Sequence, residues 1–133
     1  MPTHATLNRI RLTLARSKDF PEGSLHHGYE LIAPLDYEGH IDPEGWKQSR
    51  ADCTVRHFSG GQEDQFGMLV HKAGGAEHAR WVVDYDESQA EDDEAGVMFG
   101  RHVFVPGEYV SLRKSDGRMM TFAVAAVEPM SRT

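Results

Sequence analysis

Alternation of apolar and polar residues, over short stretches bounded by turn residues, is the sequence feature that most constrains the fold. Near the N-terminus Ile10, Leu12 and Leu14 alternate with polar residues. A period of two places the apolar side chains on one face of a β-strand, whereas an amphipathic helix has a period of 3.6. The pattern therefore predicts a half-buried strand over Leu7–Leu14.

The last hairpin has the clearest pairing signal in the sequence. Residues 115–117, Ser-Asp-Gly, have the composition of a three-residue hairpin loop with glycine in the left-handed position. Pairing around this loop puts Leu112 opposite Met120 and Val110 opposite Phe122. Turn chemistry and apolar pattern agree, so two antiparallel strands are predicted here.

A second hairpin is predicted around Gly74-Gly75. Its expected pairs are Val70 with Trp81, Met68 with Val83 and Phe66 with Tyr85. This register collects three apolar pairs on one face, which is how cross-strand pairs stabilise a sheet. The opposite face then carries His71, which is predicted to point away from the core.

One short helix is predicted from its start signal. Asp42 is a favoured N-cap residue, and Pro43 suits the first helical position. Trp46 would pack inward, and Gly45 limits the helix to two or three turns ending near Ala51. The remaining segments are assigned as strands over Tyr29–Leu35 and Cys53–Phe58 and as loops over Ser17–Gly28 and Gly60–Gln65.

These elements define the expected fold class. The sequence predicts six or seven strands and one short helix. Because strands and helices do not alternate, a parallel α/β sheet is excluded. Adjacent antiparallel strands of this length form a small β-barrel or sandwich. The length of 133 residues fits a single mainly β domain over residues 1–133.

The charge distribution narrows the choice of partners. The chain has 14 basic and 21 acidic residues, and seven of the acids lie between Asp84 and Glu94 without a base. Binding of duplex nucleic acid requires a local excess of lysine and arginine, so this partner is not expected. The sequence leaves open whether residues 86–96 are ordered.

Three features indicate a cytoplasmic protein that does not enter membranes. The longest apolar run, Phe122–Val127, is too short to cross a bilayer. Arg9 and Arg11 interrupt the N-terminal apolar stretch, which is unlike a signal peptide. The single cysteine, Cys53, cannot form an internal disulfide and suits a reducing compartment.

Eight histidines raise the alternative of a metal site. Imidazole and carboxylate groups are common ligands of zinc and other transition metals. The candidate ligands are His27, Glu30, His71, His102 and Glu108, with Cys53 or His57 as further members. No established metal-binding spacing links them, so no cofactor is expected, and a divalent metal remains the alternative.

Several stretches resemble a group of small uncharacterised bacterial proteins of proteobacterial type. The resemblance covers nearly the whole chain, and the stretches that carry it are Phe20–Ser24 with His27–Glu30, Gly39–Asp42, Asp92–Gly96 with Phe99–Phe104, and the last hairpin. It implies a bacterial cytosolic protein and brings no activity with it. Residues 106–110, Pro-Gly-Glu-Tyr-Val, also resemble a strand start in the flavin-binding barrel of ferredoxin reductases. The Arg-x-Tyr-Ser flavin motif of that family has no counterpart after Gly117.

Two functions from different classes are compatible with these observations. The first is a small binding or accessory module with a protein or small-molecule ligand. The alternative is a metal-dependent enzyme built on a histidine and carboxylate cluster, and a flavin or nucleotide enzyme ranks third. A shared site for at least three of the five candidate ligands would favour the enzyme. The sequence alone leaves open whether the chain is an enzyme.

Overall fold

Eight antiparallel strands form a closed barrel in the computed structural model of the chain, which describes residues 6–16, 21–72, 80–84, 94–96, 103–113 and 119–130. Each strand pairs with the next along the chain, and the last pairs with the first. The predicted fold class, a mainly β antiparallel barrel or sandwich with one short helix, is confirmed in the form of the barrel. The described residues form eight strands, where six or seven were predicted. The strands are β1 (Thr6–Leu14), β2 (Ser24–Leu35), β3 (Thr54–Ser59), β4 (Gln62–Lys72), β5 (Arg80–Asp84), β6 (Glu94–Gly96), β7 (Tyr109–Arg113) and β8 (Met119–Pro129).

Side chains fill the interior of the barrel. Alternate residues of β1 and β2 point inward, as the period of two predicts, and Ile10, Leu12 and Tyr29 are almost fully buried. The core continues through Leu112 and Phe122 on β7 and β8. A barrel of eight strands has an interior just wide enough to be filled in this way.

The connection from β1 to β2 is shorter than the sequence predicts. Strand β2 begins at Ser24, so the predicted loop over Ser17–Gly28 is wrong for its last five residues. The pairing shifts after Thr13, which lies opposite Gly28, so that Leu14 lies opposite Ser24. A side chain at Gly28 would overlap the carbonyl oxygen of Leu12, so only glycine permits this close approach.

Between β2 and β3 lies the only helix among the described residues, α1 (Pro43–Gln48), followed by a 3₁₀ turn over Arg50–Asp52. The Asp42 side chain accepts a hydrogen bond from the Gly45 amide, which confirms the predicted N-cap. The helix is shorter than predicted because Ser49 leaves helical geometry and closes the last turn. Trp46 is buried, as predicted.

The β7–β8 hairpin confirms the predicted register. Val110 pairs with Phe122, and Leu112 pairs with Met120. The predicted turn, residues 115–117, lies outside the described residues.

The β4–β5 register differs by one residue from the predicted one. Val70 lies opposite Val82, and His71 lies opposite Trp81. A slip of one residue exchanges the two faces of a strand, so Leu69 and His71 face inward. The prediction that His71 points away from the core is therefore wrong. Phe66, predicted to pack in the core, is 64% exposed.

The barrel has two distinct ends. At the helix end, β2 leads into α1, and Trp46 packs against Trp81 with ring centroids 5.7 Å apart. At the turn end, Gly60 and Gly61 connect β3 to β4, so the loop predicted over Gly60–Gln65 is wrong beyond its first two residues. Within the described ranges, no helix has the length and apolar character that a membrane span requires.

Candidate functional site

The predicted metal ligands are distributed over different parts of the barrel. His27 and Glu30 lie on opposite faces of β2, because they are three positions apart and successive side chains of a strand alternate between its faces. His71 lies near the helix end, and Glu108 is exposed in the turn before β7. His102 lies outside the described residues. The four described candidates form no common site.

His71 lies against the aromatic residues of the helix end. Its ring centroid is 4.4 Å from that of Trp81 and 6.0 Å from that of Trp46. Burial, assisted by the positive charge of Lys47, lowers the pKa of His71 below its usual value of 6.5. The indole nitrogen of Trp46 donates a hydrogen bond of 2.8 Å to the carbonyl oxygen of Leu69. These contacts give His71 a role in packing.

Cys53 is a buried core residue. Its side chain is fully enclosed, and the thiol donates to the carbonyl oxygen of Ser49 at 3.4 Å. Burial, together with the negative charge of Asp52, raises the pKa of Cys53 to about 11. Because the thiolate is the reactive form, this cysteine is unsuited to nucleophilic chemistry.

Asp36, Glu38 and His40 form an acidic cluster in the turn after β2. One potential ligand atom from each residue lies within 4.8 Å of the others. One oxygen of Asp36 accepts hydrogen bonds from the amides of Glu38 and His40. This carboxylate therefore stabilises the turn, which is a structural role that aspartate often has.

A groove of about 220 Å³ lies on the outer surface near the turn end. The guanidinium groups of Arg11 and Arg56 lie over the ring of Phe58, at 4.6 and 5.0 Å from its centroid. Leu25 and His26 line the groove from β2. Phe58 is on the outer face because β3 alternates, with Val55 and His57 facing inward.

Ion pairs neutralise the charges of this groove. Glu30 lies 3.6 Å from Arg11 and 3.7 Å from Arg56. Asp64 forms a hydrogen-bonded ion pair of 2.8 Å with Arg56. The two arginines are thus held over Phe58 by carboxylates on neighbouring strands.

A pair of histidines lies on the inner side of the same strands, at the turn end. The Nε2 atoms of His27 and His57 are 3.3 Å apart. The His57 ring stacks on Tyr29 at 4.6 Å, and the His27 ring meets the edge of Phe122 at 5.9 Å. Nδ1 of His57 lies 3.1 Å from the amide oxygen of Gln65, to which it donates a hydrogen bond.

The sequence predicts one part of this arrangement, namely that both histidines face inward. His27 is two residues before the inward Tyr29, and His57 is two residues after the inward Val55, so alternation alone puts both histidines inside. The sequence does not predict the pairing of β2 with β3. This pairing places Tyr29 opposite His57 and therefore His27 diagonally next to His57.

The chain was compared with models of protein families, with curated proteins and with solved structures, and no match was found in any of the three comparisons.

Proposed function

We propose that this protein is a binding module that docks a partner protein on the outer groove of β1–β4. The observation that carries the proposal is the arginine-flanked Phe58 at the base of this groove. Arginine and aromatic side chains in a partly enclosed position are the typical anchors of protein–protein interfaces.

The size of the groove favours a side chain of a partner over a free ligand. Its volume of about 220 Å³ is below the range of about 300–1,000 Å³ that is typical of small-molecule pockets. The barrel interior contains a large cluster of buried apolar side chains over the described residues. A single side chain of a docked segment suits a groove of this size.

Exposed apolar side chains extend the surface on both sides of the groove. Leu25 is 72% exposed, and Phe66, the neighbour of Arg56 across the β3–β4 pair, is 64% exposed. The charges between them are paired, so the surface offers little net attraction to a small free ion. The expected occupant is a polypeptide segment with an apolar side chain at its centre.

The alternative, a metal-dependent enzyme, has less support. Its five proposed ligands were His27, Glu30, His71, His102 and Glu108, and the four that are described do not meet. The module is further proposed to work in the bacterial cytoplasm. The single cysteine, Cys53, supports this compartment.

Photocrosslinking at position 25 tests the docking surface. A benzophenone amino acid replaces Leu25 in the cells that produce the protein, and the control carries it at Tyr37. Tyr37 is 87% exposed and follows the opposite end of β2. We expect a specific crosslinked polypeptide at position 25 that is absent at position 37. The same products at both positions, or none at position 25, would overturn the proposal.

Binding of the purified crosslinked partner provides the decisive measurement. We expect Leu25→Ser and Phe66→Ser each to weaken its Kd at least about tenfold, and Tyr37→Ser to leave it unchanged. Because all three side chains are exposed, the variants should retain the near-UV circular dichroism of the wild type. Equal affinity of all three variants would contradict docking at the groove.

A further inference from the structure

We propose that His27 and His57 form a binding site for one divalent transition metal ion, with Zn²⁺ as the best-fitting ion. The site lies on the inner side of β2 and β3 at the turn end, and it is independent of the docking groove on the outer side. Both histidines are partly accessible, so an ion can enter from solvent.

The distance between the two Nε2 atoms is the first observation that supports a metal site. The Nε2 atoms are 3.3 Å apart. Two imidazole nitrogens bound to tetrahedral zinc at about 2.0–2.1 Å stand about 3.3–3.4 Å from each other. The pair therefore has the ligand separation of a tetrahedral site before any ion has bound.

The relative position of the rings supports the same geometry. The two ring centroids are 5.3 Å apart. Two imidazoles that share a tetrahedral zinc through Nε2 have centroids about 5.2 Å apart. A straight hydrogen bond between the rings at this nitrogen separation would place them about 5.6 Å apart. The two rings are therefore not aligned end to end through their nitrogens, as they would be in a straight hydrogen bond.

Gln65 gives His57 the correct tautomer. Its amide oxygen can only accept a hydrogen bond, so Nδ1 of His57 carries the proton and Nε2 of the neutral ring carries a lone pair. Metal-binding histidines usually have such a partner on the second nitrogen. Gln65 is therefore a positioning residue of this site.

Packing against buried aromatic rings holds both ligands in place. His57 stacks on Tyr29 with an interplanar angle of 16°, and Tyr29 itself packs edge-on against Phe122. Tyr29 and Phe122 are almost fully buried. The site thus needs little ordering when the ion binds, which favours affinity.

Binding has a defined proton balance. Without an ion, Nε2–H of His27 donates to the lone pair of His57. The ion requires the lone pairs of both Nε2 atoms, so the His27 proton leaves Nε2 and a proton is taken up at Nδ1. The net charge of the histidines is unchanged. Water or an anionic ligand completes the coordination of the ion.

Calorimetric titration of Zn²⁺ into chelator-treated protein without an affinity tag tests the site. We expect one equivalent to bind per chain, with His27→Phe and His57→Phe each weakening the Kd at least about tenfold. Phenylalanine preserves ring packing and removes the nitrogen. His26→Ala is the matched control, because His26 lines the outer groove. Gln65→Leu should weaken binding about 10-fold or more.

Two further measurements separate this site from the alternatives. His40→Ala tests the acidic cluster with Asp36 and Glu38, and it should leave the Kd unchanged. Nitrogen-15 NMR of the imidazoles should show His27 changing from the Nε2–H to the Nδ1–H tautomer when Zn²⁺ is added. Loss of binding only in His40→Ala, unchanged binding in His27→Phe and His57→Phe, or no stoichiometric binding would overturn the proposal.

Discussion

His71 shows how a single residue can couple protonation to folding. It lies against Trp46 and Trp81, and burial and the charge of Lys47 lower its pKa below 6.5. The unfolded chain therefore binds a proton at this position more readily than the folded barrel does. Protonation favours unfolding, so the contribution of His71 to stability is complete above pH about 6.5 and is lost as pH falls towards its lowered pKa.

A comparison of wild type with His71→Phe measures this coupling. Phenylalanine keeps the ring contact with Trp81 and cannot titrate. We expect the free energy of unfolding of wild type to fall more steeply between pH 7 and pH 5 than that of His71→Phe, measured by urea titration. If the free energy of unfolding depended on pH in the same way for wild type and His71→Phe, the lowered pKa of His71 would be contradicted.

At the scale of the elements, the pairing of β1 with β2 depends on a glycine at position 28. Gly28 pairs with Thr13 next to the shift in register, and a Cβ atom at Gly28 would overlap the carbonyl oxygen of Leu12. Backbone atoms on both sides belong to paired strands and cannot yield without loss of hydrogen bonds.

Substitution of Gly28 by alanine should therefore destabilise the barrel. We expect Gly28→Ala to reduce the free energy of unfolding by at least about 2 kcal/mol, measured by urea denaturation. Gly61→Ala is the control, because no atom lies within 4 Å of the corresponding Cβ position. It should stay within about 0.5 kcal/mol of wild type. Similar urea midpoints for Gly28→Ala and Gly61→Ala would show that β1 and β2 can move apart locally to accept the added methyl group.

The two hairpins show which element pairings the sequence determines. Around residues 115–117, turn composition and the apolar pattern select one register, and the structure has the predicted pairs of Leu112 and Val110. In β5, Trp81, Val82 and Val83 are consecutive and all buried, so alternation does not distinguish its faces. The predicted register is therefore wrong by one residue, and a shift of one residue places His71 on the opposite face of β4.

The candidate site was less predictable than the fold for a related reason. Alternation assigns His27 and His57 to the inner face, but their meeting depends on how β2 pairs with β3. The helix α1 and the 3₁₀ turn separate these strands in sequence, so no turn type fixes their register. The outer groove depends on the same pairing, because Arg56 and Glu30 face each other across it.

At the scale of the whole molecule, closure of the barrel brings the two ends of the described chain together. β1 pairs with β8, and the Met130 amide donates a hydrogen bond of 2.8 Å to the carbonyl oxygen of Leu7. Neighbouring strands in this barrel are also neighbours in sequence, except for the closing pair. The pairing of β1 with β8 is therefore the contact with the largest sequence separation, and it carries the greatest loop-closure cost during folding.

A circular permutant tests whether the closed sheet, rather than the chain order, defines the fold. Residues 131–133 and 1–5 then connect β8 to β1, and new ends are opened between Gly60 and Gly61. These two residues form an exposed turn, so the cut removes no pairing between strands. We expect this permutant to retain cooperative urea unfolding and the near-UV circular dichroism of its buried tryptophans.

The matched control is a permutant opened between Val124 and Ala125 in the middle of β8. Val124 is buried and lies opposite Leu12, and the adjacent Ala123 pairs with both β1 and β7. A cut there divides the strand that closes the barrel, and the two halves lose the chain connection that aligns them with β1. We expect this control to lose cooperative unfolding. Cooperative unfolding of this control, equal to that of the permutant opened at Gly60, would show that β8 need not be continuous. The barrel would then not depend on the pairing of β1 with β8.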